Sequence, residues 1–296
     1  MRQSSSSRRR FLKFASGAAA VGALAIGVDA TIFEPNRPRL VRQQIPLRRL
    51  PAAFDGLTIV QLSDFHYDPF FSATPMAAAV RMTNDLKPDL VVLTGDFVTL
   101  PVFHRKNLTR RSEALIESCA EGLRGLSAPL GVWAVLGNHD VFSDPHLITS
   151  SLRRAGIRVL RNDAAPIERD GQRFWLSGIG DVLAGDSDLR KALRGISQDD
   201  AVVLLAHEPD FADHAARYSV DLQLSGHSHG GQVCFPLVGT VYLPEMARKY
   251  PKGLRQVGEL MLYTNVGIGT LLIPVRWNCP PEVTFITLRS LQAGAK

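Results

Sequence analysis

Cysteine is scarce in this chain: Cys119, Cys234 and Cys279 are the only three among 296 residues. They form no CxxC pair and no even-numbered set, so neither a disulfide scaffold nor a thiolate metal cluster organises the fold. They read as core or incidental residues. Aromatic side chains make up only 7%, too few to suggest the stacking platforms of nucleic-acid binders. Positive charge is also thin beyond the N-terminus. The formal net charge is +6, but residues 1–30 hold five Arg or Lys against Asp29, which leaves +2 for the rest. That balance makes a nucleic-acid partner a poor expectation. Long apolar runs are missing too. The stretch Phe14–Val28 is fifteen residues, short of the ~20 that a bilayer-spanning helix needs. No internal repeat or low-complexity segment follows residue 30.

What is present at the N-terminus is specific. Ser7-Arg8-Arg9-Arg10-Phe11-Leu12-Lys13 resembles the twin-arginine export signal, S-R-R-x-F-L-K, at every defined position. The Ala- and Gly-rich stretch behind it suits the apolar region of a signal, and Val28-Asp29-Ala30 supplies small residues for cleavage after Ala30. The resemblance implies the twin-arginine translocase as a partner and a periplasmic or cell-envelope location, with retention as a membrane anchor the alternative to cleavage. Residues 1–30 are therefore set aside as signal. Residues 31–296, in a chain with 45% hydrophobic content, are expected to form a single domain with a sizeable core.

The domain opens with a Pro- and Arg-rich segment, 31–50, in which Val41–Leu47 alternates weakly and reads as an edge strand. Arg37, Arg39 and Arg42 there suit a solvated face better than contact with anionic lipid. Apolar strands follow at Leu57–Leu62, Leu90–Thr94 and Gly131–Leu136, with helices expected at Thr74–Leu86, Arg111–Leu126 and Pro145–Ala155. This alternation implies an α/β fold with parallel pairing and right-handed crossovers. From Arg158 the strands shorten: 158–160, 165–169 and 173–177, with a hairpin turn at Asp170-Gly171. Helices at Ser187–Arg194 and Pro209–Ala216 flank the strand Ala201–Ala206. Strands at 221–225, Leu260–Thr264 and Glu282–Leu288 complete the reading.

Five of these strands end in donor atoms. Leu57–Leu62 delivers Asp64 and His66; Leu90–Thr94 delivers Gly95-Asp96; Gly131–Leu136 delivers Gly137-Asn138-His139-Asp140; Ala201–Ala206 delivers His207; and 221–225 delivers Gly226-His227-Ser228-His229. In open α/β sheets the carboxyl ends of strands are where ligands bind. Asp-x-His and His-x-His put two donors on one side of an extended segment. Gly95, Gly137 and Gly226 are expected to let the chain turn sharply before each donor. Mixed carboxylate and imidazole donors suit Mn, Fe or Zn better than Mg or Ca. Singly each piece is commonplace; as an ordered set, chance is a poor explanation. The other histidines, His104, His146 and His214, are expected at the surface.

With these blocks in hand, the sequence resembles the calcineurin-like metallophosphoesterase family over roughly 57–288. The runs Leu205–Asp210, Gly226–Gln232, Gly267–Thr270 and Cys279–Glu282 are similar to the YaeI/YkuE-type branch of bacterial phosphodiesterases. The resemblance implies a four-layer α/β/β/α sandwich and a metal-dependent phosphodiesterase or phosphatase. It implies two divalent ions, with Mn favoured. One ion is held by Asp64, His66, Asp96 and His229; the other by Asp96, Asn138, His207 and His227; and a hydroxide between them attacks phosphorus in line. His139 is implied to act on the substrate, a phosphoester small molecule or lipid, with Asp140 orienting it. Many relatives carry a second Asp just after the Gly-Asp block, where this chain has Thr99; no metal ligand of the implied set is lost there. The branch is also similar to UDP-diacylglucosamine pyrophosphatases of lipid A metabolism, and a non-catalytic scaffold of the same fold is the other alternative.

Overall fold

The computed structural model of the chain describes residues 4–99 and 110–291. His104 lies outside the described residues. The strands are β1 (Arg39–Leu47), β2 (Thr58–Leu62), β3 (Leu90–Leu93), β4 (Val132–Ala134), β5 (Arg158–Val159), β6 (Asp163–Arg169), β7 (Gln172–Gly178) and β8 (Val202–Leu205). They continue with β9 (Leu222–Ser225), β10 (Cys234–Phe235), β11 (Gly239–Thr240), β12 (Gly253–Val257), β13 (Leu260–Thr264) and β14 (Glu282–Ser290). The α-helices are α1 (Ser4–Val28), α2 (Ala73–Leu86), α3 (Arg110–Leu123), α4 (Asn138–Ser143), α5 (Pro145–Arg154), α6 (Leu189–Ala192) and α7 (Ala212–Ala215).

Two six-stranded sheets form the centre, in the orders β1-β14-β2-β3-β4-β5 and β12-β13-β9-β8-β7-β6. The run β2-β3-β4-β5 is parallel throughout, as the alternating strand–helix pattern predicts. In the second sheet β7, β8, β9 and β13 are parallel, while β6 and β12 pair antiparallel at its two margins. The inner faces pack together: Ile59, Leu90, Val92 and Val135 from one sheet meet Leu176, Val203, Leu205 and Leu224 from the other. Alternate residues of the same strands face outward. Val60, Val91 and Leu93 lie under α2, α3 and α5 through Met76, Ile116, Ala120, Leu123 and Leu152. Val202, Leu204 and Leu262 lie under α6 and α7. Apolar character on both faces of a strand is what gives unbroken runs such as Leu90–Leu93. The layers therefore stack α/β/β/α.

Several expectations shift in detail. The helices near 187–194 and 209–216 shrink to four-residue turns, the latter preceded by the 3₁₀ turn Pro209–Phe211. The short β10–β11 hairpin and β12 escape the sequence reading. β1 is an edge strand, paired parallel to β14. Asp170 and Gly171 form the hairpin turn, both with positive φ, as a tight turn of the primed type requires. All three cysteines are free and buried.

The N-terminal helix is longer than its purely apolar stretch. Helical backbone continues without a break through Asp29–Phe33 and Glu34–Asn36, and the run Arg9–Asn36 is long and apolar enough to cross a membrane by length and composition. Its far end is fastened to the domain. The Ala30 carbonyl accepts the Arg276 backbone N–H at 2.9 Å, and the Glu34 carboxylate accepts those of Asn278 (2.9 Å) and Cys279 (2.6 Å).

Candidate metal centre

All five donor-bearing strands end on one side of the sandwich, β2, β3 and β4 from one sheet and β8 and β9 from the other. Their carboxyl-end loops converge. Asp64, His66 and His229 bring one donor atom each within 4.8 Å of one another, and so do Asp96, His207 and His227. In the first group His66 Nε2 lies 2.9 Å from His229 Nε2 and 3.5 Å from Asp96 Oδ2, and His229 Nε2 lies 3.4 Å from Asp64 Oδ1. In the second, His207 Nε2 is 3.2 Å from that same Asp96 Oδ2. One carboxylate oxygen thus touches both groups. Asn138 contributes a buried amide oxygen with no hydrogen-bond partner.

The donors arrive by a different backbone route from the extended one expected. Asp64, His66, Asp96, His227 and His229 all have positive φ, between 39° and 67°. Asp and His tolerate this region better than most residues. The conformation curls each loop back over the strand ends, where Asp64 N–H donates to Gly95 O (2.9 Å) and His66 N–H to Asp96 O (3.0 Å). Asn138 and His139 likewise lie in the first turn of α4, not in extended chain. Of the three glycines, only Gly95 (φ +97°) turns the chain. Gly137 and Gly226 supply room. A Cβ at Gly137 would overlap Asp96 Oδ1 and His207, and one at Gly226 would overlap Ser63 Oγ and Asp64 Oδ2.

The protons on two rings follow from their partners. A carbonyl only accepts, so His207 Nδ1–H donates to Thr94 O (2.6 Å) and His227 Nε2–H to Glu245 O (2.8 Å). That leaves His207 Nε2 and His227 Nδ1 as the nitrogens that would face an ion. Burial opposes charge on His207, but the Asp96 carboxylate beside its Nε2 outweighs it and raises the ring well above its usual range. Burial pushes His66 down to about 3 and His229 well below the ordinary imidazole range. Burial opposes charge on both Asp64 and Asp96. It prevails at Asp64, where the neighbouring Asp96 charge adds to it and lifts the carboxyl to about 7; at Asp96 the His207 and His139 rings outweigh it and hold the carboxyl well below its usual range. Two buried carboxylates, a cluster of buried imidazoles and an unpartnered amide oxygen form a donor set that calls for cations. Spacings of 2.9–3.5 Å between donors also suit shells with donors about 2.1 Å from an ion. The residues fit the metals that the sequence implied.

Asp140 takes a different part from the one expected. It is fully buried, and its two oxygens accept the backbone N–H groups of Asp96 (2.8 Å), Phe97 (2.8 Å), Val98 (3.2 Å) and Gly137 (3.0 Å). It fastens the Asp96 loop to the Gly137 turn. His139 is half-buried at the rim; its own N–H donates to Asp96 Oδ1 (3.0 Å), and its Nδ1 lies 3.3 Å from Thr99 Oγ1. That hydroxyl also contacts His66 Nδ1 at 2.5 Å. The threonine that departs from the usual pattern therefore touches both rings and stands where Asp140 was expected. Arg276 was not foreseen as part of the site. It is wholly buried and donates to the carbonyls of Val266, Gly269 and Cys279, bracing the loop whose Gly269 N–H donates to Asp64 O (2.7 Å). His146 and His214 are exposed, as expected.

Comparison with known proteins bears on this geometry directly. The profile of the calcineurin-like phosphoesterase family matches residues 57–231, from β2 through the His227–His229 turn. The chain belongs to this family. Among curated relatives, the uncharacterized metallophosphoesterase YkuE of Bacillus subtilis is 35% identical over 289 residues, covering 96% of this chain and 98% of that protein. Phosphodiesterase YaeI of Escherichia coli is 34% identical and covers 95% and 99%. The UDP-2,3-diacylglucosamine pyrophosphatase LpxG of Chlamydia trachomatis is more distant, 28% identical with 86% and 91% covered. As a calcineurin-like phosphoesterase, this chain is a hydrolase of phosphoester bonds with candidate metal-binding groups at its strand ends.

Proposed function

We infer that the protein hydrolyses phosphodiesters or phosphomonoesters in the cell envelope through a two-ion centre. Asp64, His66, Asp96 and His229 would hold one ion, and Asp96, Asn138, His207 and His227 the other. The observation that carries this reading is Asp96 Oδ2, within 3.5 Å of His66 Nε2 and 3.2 Å of His207 Nε2: one oxygen shared between two donor sets. Mn is favoured, with Fe or Zn compatible, because the set mixes carboxylate, amide and imidazole. When bound, the ions supply Lewis-acid polarisation of the phosphoryl group and acidify the attacking water.

The protein's own groups do the rest. The rigid cage sets the approach in line with the leaving oxygen. His139, with Nδ1 engaged by Thr99, has Nε2 as its free nitrogen. Its Nε2–H donates a hydrogen bond to the departing alkoxide and stabilises the developing charge while a proton from the attacking water neutralises it, a role typically worth ~10²–10³-fold. A non-catalytic scaffold is disfavoured, since the sequence keeps every proposed ligand residue and His139. The LpxG likeness supports a second reading, cleavage of a nucleotide-linked pyrophosphate; an exported enzyme would not meet that cytoplasmic substrate, and a screen across lipid, nucleotide and simple phosphoesters separates the two.

Export rests on Ser7–Lys13. The burial of Ala30 and the hydrogen bond at its carbonyl support a helix kept as an anchor over one cleaved after Ala30. Replacing Arg8-Arg9 by Lys-Lys should leave the protein in the cytoplasm. The catalytic test is direct. Asp96→Asn and His227→Ala should each abolish turnover of a chromogenic phosphodiester and lower bound metal, and full activity in either would remove the two-ion centre. His139→Ala should keep its metal and lose rate.

A further inference from the structure

The chain exposes large apolar residues in an uneven way. Beyond α1, the largest group among the described residues lies on two loops, with Leu237, Val238, Val241 and Tyr242 on one and Leu272 and Ile273 on the other, while Phe70 and Phe71 form a smaller pair elsewhere. Leu237 is fully exposed and Leu272 is 87% exposed, and both have positive φ, 67° and 66°. Leucine is a poor choice for this conformation, which Gly or Asn adopts with less strain. Two strained leucines held in water at loop tips mark a functional surface.

Between the loops lies a groove of about 310 Å³ lined almost wholly by apolar atoms. Val241, Tyr242, Leu272 and Ile273 line it together with Ser228 and His229. The groove thus runs up to a residue of the metal centre. Its other neighbour is the anchor. Ala30 and Glu34 are bonded to residues 276–279, Trp277 packs edge-on against Phe235 at 5.0 Å, and Gln232 Nε2 donates to Leu271 O at 3.0 Å. The apolar tips therefore sit where α1 leaves the domain, which is where a bilayer surface would lie.

Resting on the hydrolase reading above, we propose that the two loops dip into the membrane and that the groove takes the acyl chain of a lipid phosphoester drawn from it. The chain enters between Val241 and Leu272 while its phosphate reaches the donors beyond His229. A protein partner would satisfy the apolar rim equally well, but the rim's continuity with the spanning helix favours lipid.

The test uses the full-length, Mn-loaded protein in phospholipid vesicles and a series of alkyl 4-nitrophenyl phosphates from methyl to octyl. Each methylene buried in the groove is worth about fourfold, so kcat/KM should rise roughly a hundredfold along the series if three or four are buried. Leu272→Ser with Ile273→Ser should cut the octyl-to-methyl ratio by about tenfold or more. A flat series in the parent, or an unchanged ratio in the variant, overturns the proposal; the second result would mean the gain came only from partitioning into the vesicles. Absence of turnover even for the methyl ester counts against the two-ion hydrolase instead. Leu237→Trp should be quenched by brominated phospholipid, and equal emission in brominated and ordinary vesicles removes membrane insertion.

Discussion

Thr99→Val isolates the hydroxyl that touches both His66, a proposed metal ligand, and His139, the ring proposed to face the leaving group. If His66 binds metal through Nε2, its Nδ1 carries the proton and donates to Thr99 Oγ1 across 2.5 Å. The hydroxyl's own proton is then free to donate to His139 Nδ1 at 3.3 Å, which leaves the His139 proton on Nε2, where the leaving group needs it. Valine keeps the branched shape and removes both bonds. The short bond to His66 is worth about 1–1.5 kcal/mol and the longer, water-exposed one about 0.5 kcal/mol. Together they amount to roughly 10–30-fold in kcat/KM. Steady-state hydrolysis of bis(4-nitrophenyl) phosphate by Mn-loaded protein, with metal content measured alongside, reads this out. Thr99→Ser restores the hydroxyl and should stay within about threefold of the parent. The relay is refuted if Thr99→Val keeps its rate within twofold, or if serine falls as far as valine.

Two further outcomes follow from the same geometry. Gly226→Ala places a methyl where Ser63 Oγ and Asp64 Oδ2 now lie, so Asp64 must move and bound metal should drop by about one equivalent; full occupancy by elemental analysis would show that the loop yields. Asp140→Asn replaces a carboxylate that accepts four backbone N–H groups with an amide that has one acceptor oxygen and an NH₂ facing donors. The expected loss is about 2–3 kcal/mol, or roughly 5–10 °C in Tm, and a shift under 2 °C by calorimetry would mean that the cradle contributes little.

The sandwich was legible because its strands are apolar on both faces. Runs such as Leu90–Leu93 and Val202–Leu205 carry no competing helical period, and the helices between them stop at Pro88 or Gly156. The donor residues were legible for a related reason: each follows such a run directly. What sequence periodicity could not supply was the local conformation at the donors. Asp-x-His reads as extended chain because alternation is the default for a residue pair at that spacing, whereas hydrogen bonds to Gly95 O and Asp96 O from a neighbouring loop hold Asp64 and His66 left-handed. The part played by Asp140 was misread for the same reason. A carboxylate beside a histidine suggests a ring partner, and only the folded chain shows four N–H groups reaching it first. Arg276 had no signal, being one arginine among many until its burial is known.

That clustering of left-handed residues says how the centre is built. Local strain of this kind costs about 1–3 kcal/mol per residue and persists only where the surroundings over-determine it. Here the surroundings are identifiable: Gly95 O and Asp96 O hold Asp64 and His66, the Asp64 carboxylate receives the His227 N–H at 3.0 Å, and Asp140 holds the Asp96 loop. Asp64, His66, Asp96, His207 and His227 are each held by a partner from another strand end, so this part of the cage is cross-braced between the two sheets without an ion. Small zinc domains fold only on metal because the ion must assemble its own ligands. In this protein the sandwich core brings the candidate donors together, so in the proposed centre ion binding would not have to order them and would relieve the mutual repulsion of Asp64 and Asp96.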